Sequence, residues 1–149
     1  MMIEGGCLCG HVRYRSEGEP FRQTVCHCSD CRRSSGGATV AWFSASASGF
    51  QYTAAAPREH ASSPGVVRTF CGACGTSLTY RHTDFPNQLD ISIVSADIAD
   101  QLWPKDHVHV SNRLTWDIIG DGRPQFSHGR ADVRPQEQGI DGFRNSHAS

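Results

Sequence analysis

The sequence predicts a small, single-domain protein of mainly β structure, and three observations support this fold class. The chain has 149 residues, a length that suits one domain with one hydrophobic core. Its 15 glycines and 7 prolines indicate many turns and few long helices. Short segments in which apolar and polar side chains alternate recur along the chain, as is typical of β-strands with one buried face.

The alternating segments place the expected strands. We predict strands at residues 11–16, 21–25, 39–44, 50–53, 66–70, 89–93 and 107–110, and one that ends at residue 80. Residues 28–35 are expected to form a tight loop or one helical turn that ends at the glycine pair 36–37. Residues 95–102 are expected to form one or two helical turns. Residues 54–65 are expected to be a solvent-exposed loop.

The end of the chain differs in composition from the rest. After about Phe126 the sequence becomes polar and loses its periodicity. We therefore expect the domain to cover residues 1–132 and residues 133–149 to form a poorly ordered tail.

The charge and hydropathy of the chain exclude some partners. It carries 14 basic and 15 acidic residues, a net charge of -1, whereas a nucleic-acid-binding protein usually has a strong basic excess. No stretch approaches the roughly 20 apolar residues that a membrane span needs. The first residues lack the charged and apolar regions of a signal peptide. We expect a cytoplasmic protein with no nucleic-acid partner and no membrane association, and the sequence makes no prediction of its oligomeric state.

Seven cysteines are the most informative residues, because an odd number argues against a complete disulfide framework. They form three groups, Cys7 and Cys9, then Cys26, Cys28 and Cys31, then Cys71 and Cys74. Thiolates around a tetrahedral zinc ion lie about 3.8 Å apart. Residues i and i+2 of a flat strand are roughly 6.6 Å apart, so the first pair must lie on a bend. The glycines at positions 5, 6 and 10 allow one, and residues 71–75 have the sequence of a zinc knuckle.

The spacing divides the cysteines between two metals. Three cysteines within residues 26–31 can hardly avoid sharing one metal, and the two remaining pairs then make a closed four-sulfur site. A closed site is typical of structural zinc, which can contribute on the order of 10 kcal/mol to folding. The triple has three protein ligands and one open position, as catalytic zinc sites do.

Two alternatives to this division stay open. His27, Asp30 or His82 could complete the second site and make it structural as well. In the second alternative, a C-x-x-C motif has a redox role, but this would need a thioredoxin-like βαβ pattern that the sequence lacks.

Several polar and aromatic residues have two interpretations. His27 lies between two ligands and could be an acid–base group, although neighbours in a tight loop usually point away from each other's target. Arg32 and Arg33 are expected to be a solvated surface pair, with pairing to a substrate carboxylate as the alternative. His82 is expected to be exposed. His107 and His109 could line a pocket, but surface or hydrogen-bonded positions are commoner. The aromatic residues Trp42, Phe43, Trp103 and Trp116 are expected in the core.

The cysteine motifs and their flanking residues resemble the glutathione-dependent formaldehyde-activating enzyme family, which includes centromere protein V-like members. The resemblance rests on GCLCGHVRY at residues 6–14, CHCSDCRR at 26–33, FCGACG at 70–75, Trp116-Asp117 and DGRP at 121–124. It implies a zinc-stabilised β-tent fold of short antiparallel sheets. It also implies two zinc ions per chain, one structural, on Cys7, Cys9, Cys71 and Cys74, and one catalytic, which could be labile, on Cys26, Cys28 and Cys31.

The family resemblance also implies an activity, S-(hydroxymethyl)glutathione synthase, a carbon–sulfur lyase. A free thiol is only a few per cent thiolate at neutral pH, and binding to zinc would deprotonate it for attack on an aldehyde. Three cysteine thiolates already outweigh the metal's charge, which favours activation of a thiol over activation of water. We expect a zinc-dependent lyase or synthase acting on a thiol–aldehyde adduct, with a small-molecule thiol such as glutathione as partner. The alternatives are a non-enzymatic zinc-binding interaction module and a thiol-stress sensor.

Overall fold

The computed structural model describes residues 1–129, which form ten strands, one α-helix and several short 3-10 turns. The strands are β1 (Met2–Gly6), β2 (Arg13–Glu17), β3 (Phe21–Cys26), β4 (Val40–Ser46), β5 (Phe50–Tyr52), β6 (Arg58–Ser63), β7 (Val66–Phe70), β8 (Ser77–His82), β9 (Gln88–Ser92) and β10 (Asp106–Val108). The helix α1 is Ser29–Ser35. The mainly β fold class is confirmed.

The strands form two sheets. Three of them make a small antiparallel sheet in the order β1-β2-β5. The other seven make a larger sheet in the order β10-β3-β4-β9-β8-β7-β6. Every pair in it is antiparallel except β10 with β3, which are parallel.

Each face of the larger sheet packs against a different part of the chain. On β4, Phe43 and Ala45 belong to a core with residues of the small sheet such as Ile3 and Tyr14. Trp42 points to the opposite face, because successive side chains of a strand alternate. There it joins a second core that includes the cysteines of residues 26–31. Both faces of the central strands are therefore buried.

Two strands differ from the sequence-based expectation. Residues 54–65 were expected to be a loop, but Arg58–Ser63 form β6, which pairs with β7 at the edge of the larger sheet. The expectation was wrong because five of its six side chains are exposed, so the strand has no apolar alternation. β1 was also missed. Its Gly5 lies directly against Tyr14, where a Cβ atom would overlap the phenol oxygen.

The helix α1 is longer than the predicted single turn. Cys28 is its N-cap residue, and the Cys28 sulfur accepts a hydrogen bond from the backbone N–H of Cys31 at 3.3 Å. Gly36 ends the helix in a left-handed conformation, with φ of 74°, and donates its N–H to the carbonyl of Arg32 at 2.8 Å. The predicted end at the glycine pair is confirmed.

The segments after β8 agree in part with expectation. β9 ends at Ser92, one residue before the predicted end, and Ile93–Ser95 form a 3-10 turn. The helical turns predicted for residues 95–102 include the 3-10 turn Ala99–Gln101. The predicted tail, residues 133–149, and the boundary at residue 132 lie outside the described part of the chain. Within residues 1–129, no helix is both long enough and apolar enough to cross a membrane.

Candidate metal centres

The first cysteine pair lies on a tight turn between β1 and β2. The backbone N–H of Gly10 donates to the carbonyl of Cys7 at 3.1 Å, and Gly10 has a φ of 78° that favours glycine. The sulfurs of Cys7 and Cys9 are consequently 3.6 Å apart. The bend predicted from the C-x-C spacing is confirmed.

The second pair lies on the predicted knuckle between β7 and β8. Gly75, with a φ of 82°, closes it by donating its N–H to the carbonyl of Cys71 at 2.8 Å. The sulfur of Cys9 lies 3.8 Å from that of Cys71. The sulfurs of Cys7, Cys9, Cys71 and Cys74 all lie within 4.8 Å of one another, so this outer cluster could hold a metal ion. Its spacings match those expected around a tetrahedral zinc ion.

Hydrogen bonds to two cysteines of the outer cluster, Cys7 and Cys74, favour the thiolate form that a metal needs. The Cys7 sulfur accepts the backbone N–H of Val12 at 3.2 Å. The hydroxyl of Thr76 lies 3.2 Å from the Cys74 sulfur and also accepts the N–H of Leu8 at 3.1 Å. Hydrogen bonding from the Thr76 side chain is the main cause that lowers the pKa of the Cys74 thiol to about 5.

The central cluster consists of Cys26, Cys28 and Cys31. Cys26 ends β3, Cys28 caps α1, and Cys31 lies in the first turn of that helix. All three are fully buried, and their sulfurs lie within 4.8 Å of one another. No further histidine, cysteine or carboxylate of residues 1–129 joins this group. The alternative in which His27, Asp30 or His82 completes the site therefore finds no support in the described part of the chain.

The surroundings of the central cluster are apolar and aromatic. Val40, Trp42, Val66, Tyr80, Phe85 and Val108 pack around the cysteines. Burial, together with the neighbouring Cys28 and Cys31, raises the pKa of Cys26 well above its ordinary value. Thiolates in such a place need a cation to offset their charge, so this cluster also fits a metal ion.

These surroundings also contain the indole N–H of Trp42, a buried polar group. The indole N–H of Trp42 is buried and makes no hydrogen bond within residues 1–129. An indole nitrogen is a donor only, so it is available to an acceptor atom of a ligand.

His27 points to a second buried histidine. Its Nε2 atom lies 2.9 Å from Nδ1 of His107, and Nε2 of His107 lies 2.8 Å from a carboxylate oxygen of Asp121. Asp117 is also near, with a carboxylate oxygen 3.9 Å from Nδ1 of His27. Burial, and next the positive field of His107, lowers the pKa of His27 to about 4, so its imidazole is neutral near pH 7.

Sequence reasoning did not assign roles to Asp117 and Asp121. Both residues lie in motifs that contributed to the family resemblance, Trp116-Asp117 and DGRP at residues 121–124. The sequence did not indicate which residues these two carboxylates would contact. His107 and His109 are both buried, so neither is a surface residue.

Three expectations for individual residues were wrong and two were confirmed. Trp103 and Trp116 are 61% and 71% exposed rather than in the core, whereas Trp42 and Phe43 are buried as expected. His82 is buried rather than exposed, because its Nδ1 accepts the N–H of Asp84 at 3.0 Å and its ring contacts that of Phe85.

Arg32 and Arg33 were expected to be a pair of solvated surface residues, but only Arg33 is exposed. Arg33 is exposed, whereas Arg32 is partly buried and donates from Nη1 to the carbonyl of Asn112 at 3.0 Å.

Comparison with known proteins identifies the family. A Halomonas elongata protein named "Putative glutathione-dependent formaldehyde-activating enzyme" is 32% identical over 127 residues, which cover 78% of this chain and 80% of that protein. A crystal structure of a Rhodobacter sphaeroides protein superposes with a TM-score of 0.53 at 18% identity, covering 83% of this chain and 98% of that one, and supports the fold. The family model for the glutathione-dependent formaldehyde-activating enzyme matches residues 2–112. The chain therefore belongs to the glutathione-dependent formaldehyde-activating enzyme family.

Proposed function

We propose that this protein holds two zinc ions and forms or cleaves the adduct of a thiol with an aldehyde, such as S-(hydroxymethyl)glutathione. The observation that carries the proposal is the central cluster, in which three buried cysteines converge and no fourth ligand side chain of residues 1–129 joins them. The family and the name of the Halomonas elongata relative both refer to glutathione and formaldehyde and support the choice of substrates.

The two clusters have different proposed roles. The outer cluster supplies four sulfurs and joins the β1–β2 turn to the β7–β8 knuckle, so its zinc is structural. The central cluster supplies three, and its zinc is held less tightly. When bound there, zinc would lower the pKa of an incoming thiol and favour its nucleophilic thiolate form.

The residues around the central cluster suit this reaction. In the forward direction the thiol sulfur bonds to the aldehyde carbon, the carbon–oxygen π bond breaks, and the thiol's proton ends on the oxygen. The Trp42 N–H lacks an acceptor within residues 1–129 and lies in the same buried core, so it would donate a hydrogen bond to that oxygen. The aromatic side chains of Trp42, Tyr80 and Phe85 limit the access of water.

The cellular location belongs to the same proposal. None of the seven cysteines forms a disulfide, and structural thiols persist in reducing compartments. We therefore propose a cytoplasmic location, where glutathione is available as substrate.

Calorimetry with zinc-loaded protein tests the proposal. Glutathione is titrated into the wild-type chain and into Cys28→Ser, and the disappearance of glutathione is then followed with formaldehyde present, against the spontaneous reaction. Saturable binding that the variant lacks, with acceleration by the wild type alone, is the expected result. Equal binding to both proteins would overturn the assignment of the central cluster, and no binding at all would favour a non-enzymatic zinc module.

A further inference from the structure

A cavity of about 440 Å³ lies beside the central cluster, between α1 and strands β6 to β8. The charged side chains in its wall are two guanidinium groups, Arg33 and Arg68, and one carboxylate, Asp30. The cationic side chains outnumber the acidic one, so the cavity favours an anion.

Arg68 is unusual because it is a buried cation that has no counter-ion in the described part of the chain. Only 6% of it is exposed, and it forms no ion pair with residues 1–129. Nε donates to the hydroxyl of Ser62 at 3.3 Å and Nη1 to that of Ser34 at 3.2 Å. Its guanidinium carbon lies 5.0 Å from the centre of the Tyr80 ring. Nη2 makes no hydrogen bond within the described chain.

Burial of a charged guanidinium is costly when the group forms no ion pair. Two hydroxyls and the face of one aromatic ring offset part of this cost. A carboxylate matches the planar fork of an arginine, so it is the ligand that would complete the site best.

Two side chains, Ser34 and Tyr80, link Arg68 in the cavity wall to the central cluster. The hydroxyl of Ser34, which accepts from Arg68, also donates to the carbonyl of Cys31 at 3.1 Å. The ring of Tyr80, which contacts the Arg68 guanidinium, packs in the same core as the three cysteines. One side chain therefore separates Arg68 from the backbone of a cluster cysteine.

We propose that this cavity binds a carboxylate of the thiol substrate, with Arg68 and Arg33 as its partners. The inference rests on the proposed function, which places the sulfur of the same thiol at the central cluster. Glutathione carries such a carboxylate, on the glycine that follows its cysteine, and one residue spans about 3.5 Å. Of the two adjacent arginines of α1, the structure selects Arg33, since Arg32 is directed to Asn112 and does not line the cavity.

The test measures binding by calorimetry to the zinc-loaded full chain. The ligands are glutathione, its diethyl ester, in which both carboxylates are neutralised, and 2-mercaptoethanol, which has none. One variant is Arg68→Met, which retains the apolar stem of the side chain. The other is Arg33→Gln, at an exposed position, which should leave the fold intact and keeps the test possible if Arg68→Met does not fold. Arg81→Gln is the matched control, because Arg81 is an exposed arginine on the neighbouring strand β8 that does not line the cavity.

We expect Arg68→Met to weaken glutathione binding by about tenfold, the loss expected for one charge-assisted hydrogen bond. Arg33→Gln should weaken it less, and Arg81→Gln should leave it unchanged. The diethyl ester should bind the wild type no more tightly than glutathione binds Arg68→Met, while the affinity for 2-mercaptoethanol should be the same in all four proteins.

Two results would overturn the inference while the proposed function stands. One is equal affinity of the wild type for glutathione and its ester, with Cys28→Ser binding neither. The other is inorganic phosphate that binds at Arg68 without lowering the affinity for glutathione, since this would reveal a separate anion site. If neither glutathione nor 2-mercaptoethanol binds, the proposed function itself fails and the inference fails with it.

Discussion

The Nε2 atom of His27 lies 2.9 Å from the Nδ1 atom of His107, so the residue between two central cysteines is tied to a strand 80 positions later. His107 is in turn bonded to Asp121, which also accepts the backbone N–H and the guanidinium of Arg123. Hydrogen bonding from His107 is the main reason why the pKa of Asp121 is well below its usual range. Hydrogen bonds from residues outside the central cluster therefore fix the position of the Cys26–Cys28 segment.

The first prediction concerns this support. His107→Gln should leave the outer cluster unchanged but loosen the loop of Cys26 and Cys28. We expect zinc to be lost from the central cluster to a competing chelator at about tenfold lower chelator concentration, the low end of the range for residues that support metal ligands. The measurement is zinc released per chain during a chelator titration followed by absorbance.

His60→Gln is the control for this substitution, since His60 is an exposed histidine on the edge strand β6. Identical release curves for His107→Gln and the wild type would show that the histidine pair does not position the cysteines.

The second prediction separates the two clusters by stability. Cys28→Ser should lose the central zinc and keep the fold, because serine is a preferred N-cap residue and can accept the N–H of Cys31 in place of the sulfur. Cys71→Ser should prevent stable folding, because the outer cluster joins two distant turns and a structural zinc contributes on the order of 10 kcal/mol. Thermal unfolding and the zinc content per chain measure both effects. Similar melting temperatures for the two variants would contradict this division of roles.

The grouping of the cysteines could be predicted from the sequence because their spacings are short. Within Cys26–Cys31, or across the knuckle at Cys71, few backbone paths keep the sulfurs apart, so local geometry determines which cysteines share a cluster. The pairing of the two outer groups followed only by elimination, and the 3.8 Å between the sulfurs of Cys9 and Cys71 agrees with it.

The rest of the site depends on contacts between distant positions. Nothing local distinguishes His107 or Arg68 from other polar residues, and each gains its role from a partner at least 34 positions away. β6 was missed for a related reason, because an exposed edge strand is stabilised by backbone pairing rather than by a pattern of apolar side chains.

The third prediction tests the close approach of the small sheet to the 3-10 turn Ile93–Ser95. Gly5→Ala would place a methyl group against the Tyr14 hydroxyl and the backbone carbonyl of Ser95. Because moving a backbone carbonyl is costly, we expect the free energy of unfolding to fall by about 3 kcal/mol, the upper part of the range for overpacking. Urea denaturation measures the free energy of unfolding.

Gly36→Ala is the comparison for this substitution. Gly36 has a φ of 74°, and no atom lies within 4 Å of the place that a Cβ atom would take there. Only the left-handed backbone therefore opposes alanine, at a cost of about 1 kcal/mol. Equal losses for the two variants would show that Gly5 is retained for backbone freedom and not for space.

The fourth prediction concerns alkaline stability and Tyr14. Its phenol is buried and lies 2.9 Å from the hydroxyl of Ser95. Because the Ser95 hydroxyl donates to the carbonyl of Ser92 at 2.8 Å, Tyr14 donates to Ser95. Tyr14→Phe removes this hydrogen bond and should cost about 1 kcal/mol at pH 8. Burial raises the pKa of Tyr14 from its ordinary value of 10.0 to about 12.

The sign of the pH dependence follows from this shift. Below pH 10 the phenol is neutral in the folded and unfolded chains, so its contribution to stability is fully present. Between pH 10 and about 12 the unfolded chain loses the proton first, so the wild type loses stability as the pH rises, by about 1.4 kcal/mol per unit. Tyr14→Phe lacks this loss. Free energies of unfolding measured from pH 8 to pH 11.5 should therefore converge and cross at about pH 10.7. A constant difference over that range would mean that the Tyr14 phenol titrates at the same pH in both states.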